Sequence, residues 1–335
     1  MPMARILADL MGSDKGLNTV LEGALRASSE GIEVILVGDR ERILAANPEA
    51  EKMQIVHASQ EISMADDPMT AIRQKRDSSM VVGSRFVSEG GADAFVSTGN
   101  TGALLAATTL IIGRAEGYSR PALGVVLPGI AGPSMLIDAG ANPECDARNL
   151  MEFGIMGSAY MKNVLGIGEP KVALLNNGTE EKKGRDYIRN AYMMLKDTDL
   201  NFIGNIEGRD IMTTASHVMV CDGFTGNVTL KVIEGMGSVF SKMVREAAMT
   251  DLKSKLGGLM MKSALKRLSD KLDYSHYGGA PFLGLRKLVI KGHGSSNSFA
   301  FYNAIKVASK AIEANVAEKI ADSYPKTAQT EQSEV

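Results

Sequence analysis

Short apolar segments alternate with helical patterns along this chain, and each apolar segment runs into a turn rich in glycine and small polar residues. Five of these segments are Glu33–Val37, Ala94–Ser97, Met135–Ile137, Val172–Leu175 and Val218–Val220. Such alternation is typical of βα units and predicts an α/β fold with a mostly parallel sheet. Ligands of such sheets bind beyond the carboxyl ends of the strands, so we expect the functional residues in these turns.

Residues 242–274 show a different pattern. Leucines recur there at helical spacing on both sides of Gly257 and Gly258, at positions 252, 256, 259, 265, 268 and 272. We predict a protruding pair of amphipathic helices joined at an apolar tip, residues 256–261. Residues 327–335 are polar and lack periodicity, which predicts a disordered tail. Residues 1–326 are then expected to form a single α/β domain that carries the helix pair.

The composition narrows the class of protein. The chain has 335 residues, of which 44% are hydrophobic, so it can bury a large core. Its formal net charge of -2 gives no overall attraction to nucleic acid, and we predict no nucleic-acid partner. No apolar run approaches the ~18 residues of a membrane-spanning helix, and the N-terminus lacks a secretory signal pattern. We expect a cytoplasmic protein that is soluble or bound to one face of a membrane.

The cysteines and histidines argue against a disulfide framework or a metal site. Cys145 and Cys221 are the only two cysteines, they lie far apart in the sequence, and no histidine pair has the HExxH spacing. We therefore predict no bound metal. A covalent role for either cysteine is disfavoured, because a buried thiol is usually inert.

The clearest candidate site follows the strand Ala94–Ser97, where Asn100, Thr101 and Gly102 precede an Ala/Leu-rich helix. Free N–H groups and the positive end of the helix dipole bind anions at such a position. The alternative is an ordinary glycine turn in which Asn100 or Thr101 caps the helix. The segment matches neither the Walker A motif nor GxGxxG, so nothing here calls for ATP or NAD.

Two further turns follow the strands Met135–Ile137 and Val172–Leu175. In the first, Asp138 either orients a ligand or closes the turn, and Asp146 is a plausible N-cap for the next helix. In the second, Lys183 stands beside Gly184, which would let the backbone and the ammonium group converge on one phosphate. The alternative for this charged run is a solvated loop.

The remaining two turns lie at residues 221–227 and 291–297. Asp222 is expected either to hold a neighbouring turn together or to orient a nucleophile. His293 stands between two glycines, a setting that is unusual for a packed core histidine. We interpret His293 as a candidate for polarising a carbonyl or handling a proton.

Taken together, these turns resemble the acyl-carrier-protein:phosphate acyltransferase family from Asp9 to about Ile305. The resemblance rests on an ordered set of segments: LADLMGSD, STGNTGALLA, LIDAGANPECDARNL, LLNNGTEEKKG, NFIGNIEGRDI, VMVCDGFTGNV and YGGAPFLGLRKLVIKGHGSSN. Each segment alone is weak, whereas the set in this order is highly specific. One departure is in the opening loop, where Ser13 replaces a family glycine and the usual His-Ala-Pro continuation is missing.

The resemblance implies a three-layer α/β/α fold, similar to isopropylmalate dehydrogenase and phosphate acetyltransferase. It also implies a homodimer without a metal or nucleotide cofactor. The expected reaction moves a long-chain acyl group from acyl carrier protein onto inorganic phosphate. The resulting acyl phosphate would pass to a membrane-embedded glycerol-3-phosphate acyltransferase, with this chain bound peripherally to an anionic membrane surface.

We assign candidate roles to residues according to the turns in which they lie. We predict catalytic roles for Lys183, His293, Asp222 and Asn227. The predicted substrate- and phosphate-binding residues are Asp9, Gly12, Asp14, Asn100, Thr101, Gly102, Asp138, Asn142, Asn177, Gly178, Thr179, Glu180, Gly184, Gly223, Gly226, Gly294, Ser295 and Ser296. The predicted membrane contacts are Leu256, Leu259, Met260 and Met261.

In this interpretation, phosphate lies against the N–H groups of the Asn100–Gly102 turn with Lys183 nearby and attacks the thioester directly. The oxyanion would be stabilised by backbone N–H groups or His293. Two alternatives stay open: an enzyme that uses coenzyme A as the acyl donor, and a lipid-surface scaffold whose glycine turns are structural. A dehydrogenase of similar fold is disfavoured, because the chain has no nucleotide-binding motif.

Overall fold

A computed structural model describes residues 4–213, 216–272 and 278–324, with side chains for all of these except 267–272. The strands are β1 Arg5–Asp9, β2 Glu33–Gly38, β3 Ile55–His57, β4 Ala94–Ser97, β5 Ala122–Leu127, β6 Ser134–Ile137, β7 Lys171–Leu175, β8 Asn201–Ile206, β9 Val218–Val220, β10 Ala280–Leu283 and β11 Leu288–Lys291. The five segments predicted from the hydrophobic pattern are confirmed as β2, β4, β6, β7 and β9.

The helices are α1 Leu17–Ser29, α2 Arg40–Ala46, α3 Pro68–Gln74, α4 Ser79–Ser88, α5 Thr101–Ile111, α6 Ala147–Leu165, α7 Asp186–Lys196, α8 Gly223–Ala248, α9 Leu252–Leu272, α10 Ser298–Glu313 and α11 Val316–Asp322. Asp146 caps α6 as predicted, since its side chain accepts from the N–H of Asn149. Side-chain capping of this kind satisfies an N–H group that the helix itself leaves without a partner.

One eleven-stranded sheet joins all the strands in the order β3-β2-β1-β4-β11-β10-β5-β6-β9-β7-β8. The five strands from β3 to β11 are parallel to one another, and β10 is antiparallel to both of its neighbours. β5 is antiparallel to β6, and β6, β9, β7 and β8 are again parallel to one another. The two parallel halves therefore run in opposite directions, and their carboxyl-end turns form two separate groups.

Alternate residues of the strands pack on opposite faces of the sheet, as a two-residue repeat requires. In β1, Ile6 and Ala8 belong to the core under α1, α6 and α10, whereas Leu7 packs with α4 and α5 on the other face. The same alternation in β9 places Val218 and Met219 in different cores. Helices thus cover both faces, which gives the predicted three layers.

The helix pair differs from its predicted outline. The chain turns at residues 249–251, where Asp251 accepts from the N–H of Ser254, and Gly257 and Gly258 lie inside α9. A Cβ added to Gly258 would approach the Ala248 Cβ to 2.9 Å, so this glycine permits close packing of α9 on α8. Residues 256–261 therefore lie within α9 and not at the tip. The predicted disordered tail lies outside the described residues.

Candidate active site

The turns after β1, β4 and β11 meet at one edge of the sheet, and we call them the first turn group (residues 9–14, 97–102 and 291–297). The N–H of Asp14 donates to the Gly294 carbonyl at 3.1 Å, and the N–H of Gly292 donates to the Ser97 carbonyl at 2.9 Å. Of the predicted residues, this group brings together Asp9, Gly12, Asp14, Asn100, Thr101, Gly102, His293, Gly294, Ser295 and Ser296.

Asp9 is fully buried at the centre of the first turn group. Its carboxylate accepts from the Ser97 hydroxyl at 2.7 Å and from the Met11 N–H at 3.0 Å. Burial raises the pKa of Asp9 to about 6. These bonds make Asp9 an anchor for the opening loop, although that loop departs from the family at Ser13.

The Asn100 side chain is already engaged within the protein. Its Oδ1 accepts from the Ala103 N–H at 3.0 Å and so caps α5. Its Nδ2 reaches three carbonyl oxygens, those of Ser63, Met64 and Asp66, at 3.2–3.3 Å. Asn100 is therefore the N-cap of α5. The backbone N–H groups of Thr101 and Gly102, in the first turn of α5, have no acceptor within the helix and are therefore available to an anion.

His293 accepts a hydrogen bond that selects its tautomer. The backbone N–H of Ser295 donates to His293 Nδ1 at 3.2 Å, and the Ser295 hydroxyl lies 2.8 Å from the same nitrogen, an arrangement that favours the neutral tautomer with its proton on Nε2. Partial burial, followed by the positive charge of Lys231, lowers the pKa of His293. A neutral His293 can therefore donate an Nε2–H hydrogen bond near neutral pH.

Lys291 is a buried residue of the first turn group that is not among the site residues predicted from the sequence. It ends β11 after three buried apolar residues, is 8% exposed, and its Nζ donates to the carbonyl oxygens of Thr98 and Gly292. Burial lowers the pKa of Lys291 to about 8. The signal was present in the sequence, as a lysine that closes an apolar strand directly before Gly-His-Gly.

The turns after β6, β7 and β9 form the second turn group (residues 138–145, 176–185 and 221–227). Asp138 organises it by accepting five hydrogen bonds, from the N–H groups of Leu123, Gly140, Ala141 and Asn142 and from the Asn142 side chain. Burial nevertheless raises the pKa of Asp138. Asp138 thus closes the turn, as the structural alternative predicted.

Asp222 caps α8 and contacts two hydroxyl groups. It accepts from the Thr225 N–H at 2.8 Å, from the Thr225 hydroxyl at 2.9 Å and from the Tyr187 hydroxyl at 3.0 Å. The start of α8 lies directly on the Asp138 turn, because a Cβ added to Gly226 would come within 1.9 Å of the Asp138 carbonyl oxygen. Gly223 makes a similar close approach to Asn142.

The loop after β7 carries the predicted residues Asn177, Gly178, Thr179, Glu180, Lys183 and Gly184. The loop is joined to neighbouring elements by hydrogen bonds from the Asn205 side chain to the Glu180 carbonyl at 2.9 Å and from the Asn176 N–H to the Ile206 carbonyl at 2.8 Å. Within the loop, the Asn176 side chain donates to the Lys183 carbonyl at 3.1 Å. Lys183 itself is exposed. This loop borders an open cleft of about 1060 Å³. The cleft is lined by apolar residues such as Leu174, Ile188 and Phe224, and by the polar residues Asn176, Arg185 and Tyr187.

One face of α8 connects the two turn groups. Asn227 lies against Gly140 of the second group, where an added Cβ would be 3.4 Å from the Asn227 side chain. Lys231 and Glu234, one and two turns further along, are paired at 2.8 Å and are electrostatic neighbours of His293. The face that presents Asn227, Lys231 and Glu234 thus runs from one group towards the other over about 10 Å.

The structure does not bring Lys183 to the Asn100 turn. β4 and β7 are six positions apart in the sheet, which corresponds to about 29 Å across the strands, and they run in opposite directions. Lys183 lies in the second turn group and Asn100 in the first. Any shared contact of the two with one phosphate within a single chain is incompatible with this separation.

Both cysteines belong to the second turn group and are poorly suited to form thiolates. Burial raises the pKa of Cys145 to about 12 and raises that of Cys221 well above its ordinary value, with nearby carboxylates adding to both shifts. Among the described residues, no group of three or more histidine, cysteine, aspartate or glutamate side chains could hold a metal ion. No helix among them is long and apolar enough to cross a membrane.

Solved structures of other proteins share the fold of this chain. A phosphotransacetylase from Streptococcus pyogenes aligns with a TM-score of 0.64 at 20% identity, over 92% of this chain and 94% of that one. A putative 4-hydroxythreonine-4-phosphate dehydrogenase from Salmonella typhimurium aligns with a TM-score of 0.52 at 12% identity, over 92% and 99%. At these identities the likeness shows the fold alone, and it confirms the predicted α/β class.

Comparison of sequences identifies the family. A family described as fatty acid synthesis protein matches residues 4–319. A phosphate acyltransferase of Thermoanaerobacter pseudethanolicus is 43% identical over 314 residues, 93% of this chain and 95% of that protein. Another, of Bacillus licheniformis, is 44% identical over 316 residues, 93% and 96% of the two chains. This chain therefore belongs to the phosphate acyltransferase family and is an acyltransferase of lipid synthesis.

Proposed function

We propose that this enzyme transfers a long-chain acyl group from acyl carrier protein to inorganic phosphate, and that the acyl phosphate then serves acylation of glycerol 3-phosphate. The observation that carries this proposal is the first turn group. It gathers helix-start N–H groups, a neutral His293 with an Nε2 proton and the buried amine of Lys291 at one edge of the sheet. These groups suit a phosphate dianion and a developing oxyanion.

The reaction balances without a further reactant. An oxygen of hydrogen phosphate attacks the thioester carbonyl carbon, the carbon–sulfur bond breaks, and the phosphate proton ends on the departing thiol. Both the thioester and the acyl phosphate are activated acyl compounds, so the enzyme mainly positions phosphate and polarises the carbonyl. The His293 Nε2–H group would donate to the carbonyl oxygen as it gains negative charge.

The donor is proposed to enter from the second turn group. The cleft there is large enough for the thiol-bearing arm of a carrier protein, and its mixture of apolar and amide-bearing side chains matches a chain that contains amides. Arg185 lines this cleft and is exposed, and Lys183, two residues earlier in the same loop, is also exposed. In this arrangement Lys183 serves the acidic carrier protein, and phosphate binding falls to the first turn group.

The helix pair supports the proposed peripheral membrane contact. Leu256, Leu259, Met260 and Met261 are between 55% and 78% exposed, which is unusual for large apolar side chains. Lysines 253, 255, 262 and 266 lie on the same helix. An exposed apolar surface flanked by bases suits an anionic membrane face.

The α8 surface is the candidate surface for the proposed homodimer. Exposed apolar residues recur along one side of α8 at Phe224, Val228, Val232, Met236 and Val239. Such a stripe is typical of a helix that packs against another protein surface. Sedimentation of the purified chain would show one dimeric species if this assignment holds and a monomer if it does not.

The acyl donor can be tested by direct comparison. Purified enzyme is incubated with phosphate and either an acyl carrier protein thioester or the matching coenzyme A thioester, and the product is trapped with hydroxylamine. We expect acyl hydroxamate to form with phosphate present and to form preferentially from the carrier-protein donor. Equal or better use of coenzyme A would overturn the donor assignment. Membrane binding without any hydroxamate would favour the scaffold alternative.

A further inference from the structure

Lys291 is an unusual residue for its position. The other residues of β11, Leu288, Val289 and Ile290, are apolar and buried, and Lys291 is buried with them at the end of the strand. An apolar side chain would fill this place without the desolvation cost of an ammonium group. A lysine at such a position therefore indicates a functional role for its positive charge.

The hydrogen bonds of Lys291 leave capacity for a ligand. An ammonium group has three N–H donors, and the carbonyl oxygens of Thr98 and Gly292 accept from it. Thr98 is fully buried, and among the described residues its hydroxyl has no hydrogen-bond partner. Two polar groups at the carboxyl ends of the neighbouring strands β4 and β11 thus retain unused bonding capacity.

We propose that Lys291, and not Lys183, is the cation that binds the phosphate group in this enzyme, with the Thr98 hydroxyl as a second contact. This inference rests on the proposed acyl transfer to phosphate and names the residue that holds its acceptor. Lys291 and Thr98 lie beside the start of α5 and beside His293, within the first turn group. Lys183 follows β7, which lies five strand positions from β11.

The charges around Lys291 define how binding depends on pH. Asp9 from β1 and Asp14 from the following loop favour the ammonium form, whereas Lys231 from α8 disfavours it. His293 follows two residues later and is held neutral by burial and by Lys231. Burial is the largest influence and sets the pKa of Lys291 at about 8. The charged amine therefore predominates below about pH 8 and is lost as the pH rises through that value.

The test measures binding of inorganic phosphate in the absence of any acyl donor, by calorimetry, alongside steady-state kinetics. For the wild-type enzyme we expect phosphate affinity to fall above pH 8 by up to about tenfold per pH unit. In Lys291→Met, which keeps the apolar volume, phosphate affinity should fall by roughly 10- to 100-fold. The pH dependence near 8 should also disappear, whereas the KM for the acyl donor should change little.

Three variants complete the design. Lys291→Arg should retain phosphate binding at pH 9, because guanidinium stays charged there. Lys310→Met, on the exposed side of α10, is the matched control and should change nothing. Thr98→Val should weaken phosphate binding without moving its pH dependence. Circular dichroism of each variant reports whether it is folded.

The outcomes separate this inference from the proposed function. Wild-type phosphate affinity that stays constant through pH 8, or a folded Lys291→Met variant with wild-type affinity, would overturn the role of Lys291. A carrier protein that bears its phosphopantetheine arm but no acyl group serves as the second probe. If Lys291→Met weakens binding of that probe and not of free phosphate, the site holds the donor's phosphate and the inference is wrong. If phosphate binding depends on Lys291 but no acyl phosphate forms, only the proposed reaction fails.

Discussion

At the scale of single residues, most of the polar side chains in the two turn groups hold the protein's own backbone. Asp138 accepts five hydrogen bonds, Asp222 accepts three, and Asn100 spans one helix start and one neighbouring loop. The groups to which the proposed reaction assigns a chemical role are fewer: the amine of Lys291, the imidazole of His293 and the N–H groups at the start of α5. Substitutions at neighbouring positions should therefore have different effects, on stability at the first kind of residue and on the reaction at the second.

Asn100→Ala is expected to lower the stability of the protein. It should also lower the rate of reaction with phosphate, because the loop that Asn100 braces would be displaced. The change removes the α5 cap and releases the carbonyl groups of Ser63, Met64 and Asp66. The loss should be about 1–3 kcal/mol in the free energy of unfolding, measured by urea denaturation. Asn100→Asp keeps the cap acceptor but loses the Nδ2 donor, so a variant as stable as wild type would contradict the bracing role of the amide. Asn190→Ala, on an exposed face of α7, is the control.

At the scale of elements, α8 determines how the two turn groups are held relative to each other. Its first turn packs on the backbone of the Asp138 turn, and its next two turns reach the neighbourhood of His293. Its far half carries α9 away from the sheet, with many apolar side chains exposed. A disturbance at the start of α8 should therefore affect the site, whereas one in the middle of α8 should not.

Gly226→Ala should destabilise the protein by about 1–3 kcal/mol or more and reduce turnover. The new methyl group would collide with the Asp138 carbonyl oxygen, which is backbone and cannot move without the whole turn. Gly237→Ala is the matched control, because Gly237 lies in the same helix, with open space around it and on the side away from the exposed apolar stripe. This control should be neutral or slightly stabilising, since alanine favours the helix. A Gly226→Ala variant that melts and turns over like wild type would show that α8 is not seated as described.

Leu256→Glu or Leu259→Glu should abolish flotation with anionic vesicles. Both side chains are more than 60% exposed on α9, so a carboxylate there removes an apolar anchor and adds repulsion from anionic headgroups. Turnover of soluble substrates and sedimentation of the chain should stay as in wild type. Variants that still float, or that lose their oligomeric state together with activity, would show that these leucines serve packing and not membrane contact.

At the scale of the whole molecule, sequence patterns were informative where burial and periodicity act locally. The strand segments before the glycine turns were identified because both faces of these strands are buried, which produces continuous apolar runs. The Gly257–Gly258 pair was misleading, since both glycines lie inside α9 and Gly258 permits close packing on Ala248 instead of forming a turn.

Which turns lie close together in the folded protein could not be predicted from local sequence patterns. Asn100 and Lys183 both follow strands, and only the strand order shows that β4 and β7 belong to oppositely directed halves of the sheet. Lys291 was missed for a related reason, because lysine is usually exposed and only tertiary packing buries this one. The family resemblance supplied the reaction class, which the spacing of these residues alone could not name.

The central claim is direct acyl transfer from a thioester to phosphate, and a stoichiometric measurement tests it. Enzyme and acyl carrier protein thioester are incubated with a chelator and without ATP, in the presence or absence of phosphate. Free thiol and acyl phosphate are quantified together. We predict thiol release only with phosphate, one acyl phosphate per thiol, and unchanged behaviour in Cys145→Ala and Cys221→Ala, because neither buried thiol readily forms a thiolate. Thiol release without phosphate, acyl label retained on the protein, or activity that returns only with an added metal would contradict the account.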